Sequence, residues 1–573
     1  MNLEALPNEI LLVLFSCFNG FDLLQAFYNL NSRFNQLLYE KVYDYQFRFS
    51  SISKIKFDWI CRQHLPSLAN RVTYLELYEV QTSPGQNQLF FSYFPSINHF
   101  IRLQTLKVSS IESSEMFITI VNALPYLSHL TYLQLDVSPS LKNNEIDFNI
   151  VLNNIWNLPQ LLFCHLHMYN FVYNENNDIN YSFTKQSTSI RHLELTGFCR
   201  KYSDIDVFFN QTPNLKHCNI SVYNFQQEDY APSFSLPKLS ELRLQIFATA
   251  GLTTLFSFLK RLSNLRRLNI KLYSHIIDGH QWEDFIRKYL PKLTNFVFHM
   301  DNKFNLHGNM PLSLDQLFMS FRTPFWIDEH KWYVRCIKQG HHIEVYTLSS
   351  IVSNYRCYIP DVWFSTDSQD SLENYRNSVG LIDCDRFFTR TLPSTLCLSN
   401  VDILITKLPL SDQFQSIIPH LNQLSYLRLL LDDETSLFDV QTLLDCTPKL
   451  YTFVIEQKKP LSLNRLLFTC SNPSIHTFRL EKYQYEFHNE ECLQLAQSPL
   501  GQQCHFLNIN VKFRQDIVIL VEHMPNLQGL HAHVQESQDN NELIQWLQYQ
   551  LPKTCYVAPP IQHLNDSIRI WIQ

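Results

Sequence analysis

The 573-residue sequence predicts a mixed α/β solenoid, with parallel strands on the concave side and helices outside, in two arcs behind a short helical N-terminus. Three observations predict it. A spaced phrase of apolar residues recurs through most of the chain at a nearly constant interval. The segments between copies carry helical rather than strand spacing. The first forty residues carry helical spacing but lack the phrase altogether.

The N-terminus comes first. Pro7 suits the first turn of a helix, where its missing N–H costs nothing. Leu11, Leu14, Phe15 and Phe18 then form one apolar stripe, and Gly20 ends that helix. Asp22 is the expected cap of a second helix carrying Leu23, Leu24, Phe27 and Leu30, with Phe21 packing near Ala26. Ser32 is the expected cap of a third, carrying Phe34, Leu37 and Leu38. So small a unit has too little interior for this much Leu and Phe, so part of its apolar surface needs a cover. Composition alone slightly favours a helical cap for the repeat body.

The order of residues adds to this. Leu6-Pro7-Asn8-Glu9-Ile10-Leu11, then Leu14-Phe15, Asp22-Leu23-Leu24, Asn31-Ser32-Arg33-Phe34 and Leu37 together resemble an F-box. The resemblance covers about forty residues, in a domain read at 1–50, and implies docking onto the Skp-type adaptor, and through it a cullin, of an SCF ubiquitin ligase. Carried over position by position, it implies adaptor contacts from Leu6, Pro7, Ile10, Leu11, Leu14, Phe15, Leu23, Leu24, Phe27 and Phe34. Phe34 stands where that family often has Trp, and Asn31 where it often has Cys.

After a connecting helix at 51–70, the phrase begins: an apolar residue, two variable ones, an apolar one, one variable, an apolar one. Copies start at Leu130, Ile190, Leu215, Leu239, Leu265, Leu293, Leu424, Leu450 and Ile475. From Ile190 to Leu293 the successive intervals are 25, 24, 26 and 28 residues. The last two apolar positions alternate as a short strand requires. Leu255-Phe258-Leu259-Leu262 and Trp282-Phe285-Ile286-Leu290 carry helical spacing between strands. The phrase resembles leucine-rich repeats, in blocks at 71–320 and 396–535, although the Asn or Cys usual after each strand is not regularly present. Residues 321–395 lose the period and gather Phe325, Trp326, Trp332, Tyr333, Trp363 and Phe364, which reads as an irregular aromatic insertion. Residues 536–573 read as a C-terminal cap, with a helix at Leu543, Trp546 and Leu547 and a strand at Ile568-Ile570-Ile572.

The formal charge of −7 comes from 46 Lys plus Arg against 53 Asp plus Glu, which leaves no general phosphate-binding footprint, so nucleic acid is not expected. No apolar run approaches the roughly 18 residues of a spanning helix, and no secretory leader is visible; the expectation is no membrane and a cytoplasmic or nuclear location. The 14 cysteines include no CxxC pair and are expected to be free thiols. Sequons at Asn180, Asn210, Asn219 and Asn565 are then chance occurrences.

No nucleotide, hydrolase or metalloprotease motif is present, and no cofactor is expected. Asp432 and Asp433, being adjacent, read as a solvated turn. His165 with His167, and His531 with His533, share a strand face but lack a third ligand at convincing spacing, so surface histidines are the favoured reading and no metal is expected. His341 and His342 face opposite ways. The variable positions of the phrase should line the concave face. Tyr132, Gln134, His165, His192, Glu194, Arg243, Arg267, Tyr426 and Arg428 are the expected target contacts, being broad side chains with polar ends. The expectation is a non-enzymatic substrate receptor of an SCF-type ligase. The alternatives are an F-box-like repeat scaffold outside any ligase and an enzyme with an unrecognised site in the aromatic stretch.

Overall fold

The computed structural model describes residues 3–41, 44–50, 52–138, 146–168, 181–182, 184–223, 232–247, 252–273, 275–303, 313–349, 360–371, 373, 376, 379–388, 396–411, 413–431, 437–457, 468–481, 485–536, 540–560 and 567–572. Asp432 and Asp433 lie outside these, as do Asn180 and Asn565.

Three short helices open the chain: α1 (Asn8–Phe15), α2 (Gly20–Phe27) and α3 (Ser32–Gln36). Their caps differ from expectation by one to three residues. Asn19, not Asp22, caps α2, its side chain accepting from the Asp22 amide at 2.9 Å. Asn31, not Ser32, caps α3, accepting from the Phe34 amide at 3.0 Å. Asn and Ser are near-equal caps, and the extended backbone at Asn31 decides between them. Gly20 begins α2 rather than ending α1. A Cβ there would lie 2.5 Å from the Phe47 ring, so the missing side chain lets α2 approach the first strand. Phe21 packs on Phe47 and Phe49 rather than on Ala26.

Among the described residues, the first sheet holds thirteen strands. Ten lie parallel in chain order: β1 (Tyr45–Phe49), β2 (Val72–Leu77), β3 (Thr105–Ile111), β4 (Tyr132–Val137), β5 (Phe163–Met168), β6 (His192–Cys199), β7 (His217–Val222), β8 (Glu241–Ile246), β9 (Arg267–Tyr273) and β10 (Asn295–Lys303). β1 falls just past the three helices read at the N-terminus, still within the residues 1–50 assigned to the F-box-like unit. Its alternation buries Tyr45, Phe47 and Phe49 and exposes Gln46 and Arg48, a period of two that outweighs the helical pattern before it. The aromatic stretch leaves the parallel pattern but not the sheet: β11 (Val334–Gln339), β12 (His342–Thr347) and β13 (Val362–Ser365) continue it antiparallel in the order β10-β12-β11-β13.

The second sheet holds nine strands. β14 (Leu381–Asp383), β15 (Ile403–Lys407), β16 (Tyr426–Leu431), β17 (Thr452–Gln457), β18 (Thr477–Glu481), β19 (Phe506–Val511) and β20 (Gly529–Val534) are parallel. β22 (Ser567–Trp571) and β21 (Tyr556–Ala558) close it antiparallel. The fold is thus mixed α/β, built of two large, mostly parallel sheets, with helices between many of the successive parallel strands among the described residues.

The apolar phrase becomes in-register ladders. Leu75, Leu106, Leu133, Cys164, Leu193, Cys218, Leu242, Leu268 and Phe296 stand side by side across β2–β10, none more than 3% exposed. The missing Asn ladder is replaced by main chain. Ahead of each strand, two consecutive amides donate to one carbonyl of the preceding unit: Arg191 and His192 to Leu162, Lys216 and His217 to Arg191, Arg266 and Arg267 to Ser240. The second sheet repeats this, with Tyr451 and Thr452 donating to Ser425. Backbone groups that would be orphaned at each turn are satisfied without a dedicated side chain.

The chain's two ends meet. The Trp571 ring, fully buried, packs 5.1 Å from that of Phe57. Arg569 pairs with Glu79 at 3.2 Å and Glu112 at 2.7 Å, in the loops after β2 and β3. Gly529 has no Cβ to clash with the Gln81 carbonyl, which would lie 2.4 Å away.

Candidate functional site

Two surfaces carry the residues singled out in the sequence. The first is the outer face of the N-terminal helices. Leu11, Phe15, Leu23, Leu24, Phe27 and Phe34 are each at most 6% exposed and form the helices' own interior. The Phe15 and Phe27 rings lie 4.8 Å apart, and Phe27 stacks on Phe34 at 5.7 Å. These six are not available to a partner while the helices keep this packing. The other four lie at the surface: Pro7 and Ile10 are exposed, while Leu6 and Leu14 are half-buried. Val13, at 65% exposed, joins Ile10, at 52%, on the same side of α1. Val13 escaped the sequence reading because it falls between the stripe positions; the stripe faces inward, so its neighbours face out.

Arg33 holds this face in place. Its guanidinium donates to the Glu4 carbonyl at 2.6 Å and the Leu6 carbonyl at 2.5 Å, while Nε donates to the Asn8 side chain at 2.9 Å. Three bonds from one planar group fix the Leu6-Pro7 turn over α3.

The second surface is the face of the first sheet opposite its buried ladder, expected from the sequence to be the concave one. Side chains alternate there as expected, and the parallel register stacks them in rows. One row runs Tyr132, Phe163, His192, His217, Glu241, Arg267. The next runs Gln134, His165, Glu194, Asn219, Arg243. Seven of the nine expected target contacts therefore share one face. Tyr426 and Arg428 are on β16 in the other sheet, where Arg428 pairs with Glu456 at 3.7 Å and with Glu481.

The first row is a ladder of flat rings. Tyr132 and Phe163 stack at 5.7 Å, Phe163 and His192 at 4.1 Å, and His192 and His217 at 4.3 Å with planes only 3° apart. Burial, reinforced by the neighbouring His217, pushes the His192 imidazole down to about 4, so it is neutral near pH 7. Burial also lowers His165.

Beside the rings is a carboxylate cluster. Glu194 Oε1 accepts from Asn219 at 2.7 Å and lies 3.3 Å from His167 Nε2; its Oε2 is 3.6 Å from His165 Nδ1. Asp136, buried, accepts from Gln134 at 2.9 Å and lies 3.5 Å from His167 Nδ1. Facing Glu194 raises His167 against the opposing effect of burial, and His167 in turn holds Glu194 below the usual carboxylate range. Asp136 was not among the expected contacts because it lies past the repeated phrase; continuing the alternation two residues beyond Gln134 would have found it. Among the described residues, no group of three or more His, Cys, Asp or Glu side chains is arranged to hold a metal ion. His531, half-buried, is pushed down to about 3 by desolvation and by Arg569 and Arg479. No helix among them is long and apolar enough to cross a membrane.

No family model matches the chain, and no curated protein matches it in sequence. Among solved structures, one similar chain belongs to a yeast Rad7–Elc1 complex. It is 14% identical, the match covers 66% of this chain and 75% of that one, and the TM-score is 0.21, too low to bear on architecture.

Proposed function

We propose that this protein is a substrate receptor of an SCF-type ubiquitin ligase. The carrying observation is the apolar strip along α1 and the turn before it, with Pro7, Ile10 and Val13 exposed and Leu6 and Leu14 half-buried beside them, pinned by Arg33, within a residue order that resembles an F-box. An exposed apolar strip on an otherwise packed helical unit is a docking surface for another subunit. In this reading the adaptor takes that strip and the concave face takes the target. The chain supplies position rather than bond-making chemistry, raising the target's effective concentration near the conjugating enzyme. The six interior residues hold the strip in shape. A repeat scaffold outside any ligase is the second reading, in which the strip meets a different partner.

Co-expression of the full chain with a Skp-type adaptor tests it. An Ile10→Asp, Val13→Asp double variant changes two exposed positions and should keep its melting temperature while losing adaptor retention by about tenfold or more, since desolvating either charge is costly. Phe15 is unsuitable for this purpose, because a charge in its buried site would unfold the helices. Failure of the native chain to retain adaptor, or undiminished retention by the double variant, would overturn the proposal.

A further inference from the structure

We infer that the concave cleft across β5–β8 receives an arginine side chain of the target protein, a deepening that rests on reading the concave face as the target surface. The cleft has a volume of about 240 Å³ and is lined by His165, His192, His217, Glu194, Glu241 and Arg243. That is room for one long side chain rather than a folded element.

The charges around it are unevenly balanced. Glu241 already faces two guanidiniums, Arg243 at 3.3 Å and Arg267 at 3.7 Å, with His217 at 3.2 Å. Glu194 and Asp136 share a single ring, that of His167, which carries at most one positive charge for two carboxylates. His165 and His192, lowered by burial, add none near neutrality. Lys107 sits on the far side, its Nζ 5.1 Å from the centre of the Tyr132 ring. A cation entering beside Glu194 therefore restores balance.

The walls favour a flat cation. His192, neutral near pH 7 and with its two faces covered by the Phe163 and His217 rings, leaves its ring edge to the cleft, where it can accept from a guanidinium N–H, and Glu194 can accept further N–H bonds at Oε2. A lysine ammonium matches the charge but offers neither plane nor fork. Arg243 and Arg267, 59% and 67% exposed at the rim, disfavour a run of basic residues and favour an acidic neighbour for the arginine. The fitting motif is a lone arginine flanked by acidic residues.

The test uses the full chain and fluorescent dodecapeptide libraries, degenerate except for a fixed central arginine, lysine, citrulline or glutamate, titrated by anisotropy. The arginine library should bind about tenfold more tightly than the citrulline library, the scale of one charge-assisted pair, with lysine between. Glu194→Gln should erase that preference, while Glu115→Gln on an outer helix should leave it intact. Equal binding of arginine and citrulline, a preference for glutamate, or a preference unchanged in Glu194→Gln would overturn the inference. The peptide comparison needs no variant to fold. Adaptor retention, measured in parallel, separates the two failures. Retained adaptor without arginine preference strikes this inference alone. Lost adaptor in the native chain strikes the ligase reading and leaves the peptide result standing.

Discussion

His167 lies between two carboxylates, 3.5 Å from Asp136 and 3.3 Å from Glu194, and this placement gives the concave face a titratable centre. A raised imidazole contributes stability below its ordinary range and loses that contribution as pH rises through its folded value. A depressed carboxylate contributes above its ordinary range and loses that contribution as pH falls through its folded value. The pair therefore binds best between the usual carboxylate pKa and the raised imidazole pKa. Removing the partner charge should lower His167: in Glu194→Gln its NMR-monitored titration should move to lower pH than in the native chain. An unmoved or raised midpoint would show that Asp136 alone sets it. At the same scale, Ile10 and Leu11 show how adjacent residues in a helix separate in role. Leu11 is fully buried and Ile10 is 52% exposed, so the first builds the unit and the second faces outward.

Among the elements, β6 shows how a strand can be re-aimed. Its register with β7 shifts between Leu195 and Cys199, and Gly197 takes a φ of +83° within the shift. A Cβ there would lie 2.0 Å from the Met168 carbonyl oxygen. The bulge ends regular pairing with β7 just past Leu195, and Phe198 and Cys199 turn into the core. Gly197→Ala should destabilise the chain by about 2 kcal/mol or more, combining the left-handed backbone penalty with the backbone clash. A denaturant melt checks this; a loss within the ~0.5 kcal/mol scatter of surface changes would mean the bulge relaxes without cost.

At the scale of the molecule, the contact between the chain's ends decides whether the array is open or joined. Arg569, on β22, faces two carboxylates from loops nearly 500 positions away, and all three side chains are at most 10% exposed. Burial, with Glu112 alongside, pushes Glu79 up to about 7 despite Arg569. A carboxyl raised in the fold gives its full contribution below the unfolded value and loses it as pH rises through the folded one. The junction should therefore loosen from about pH 5 to pH 8, and a Glu79→Gln variant should melt with a flatter pH dependence across that window. Arg569→Met leaves two buried carboxylates with no cation between them and should cost about 3–5 kcal/mol at pH 8. Equal melting temperatures for Arg569→Met and the native chain would mean that Trp571 against Phe57 carries the junction alone.

Much of this was legible from sequence because it depends on local periodicity. Alternation around Leu193 and Leu242 defines strand faces wherever a sheet forms, and the intervals near 25 residues dictate that equivalent positions stack. Parallel strands separated by helices, and Tyr132, His165, Glu194 and Arg243 sharing one face, follow from those two facts alone. The sequence could not show which apolar residues of the first helices are covered, because Leu11 and Ile10 have the same chemistry and differ only in what packs over them. Nor could it reveal that Tyr45–Phe49 joins the sheet, that the aromatic stretch extends it antiparallel, or that Arg569 reaches Glu79 and Glu112. Each of these depends on which distant segment occupies the adjoining space, and a charge or ring far along the chain leaves no periodic trace of the partner it meets.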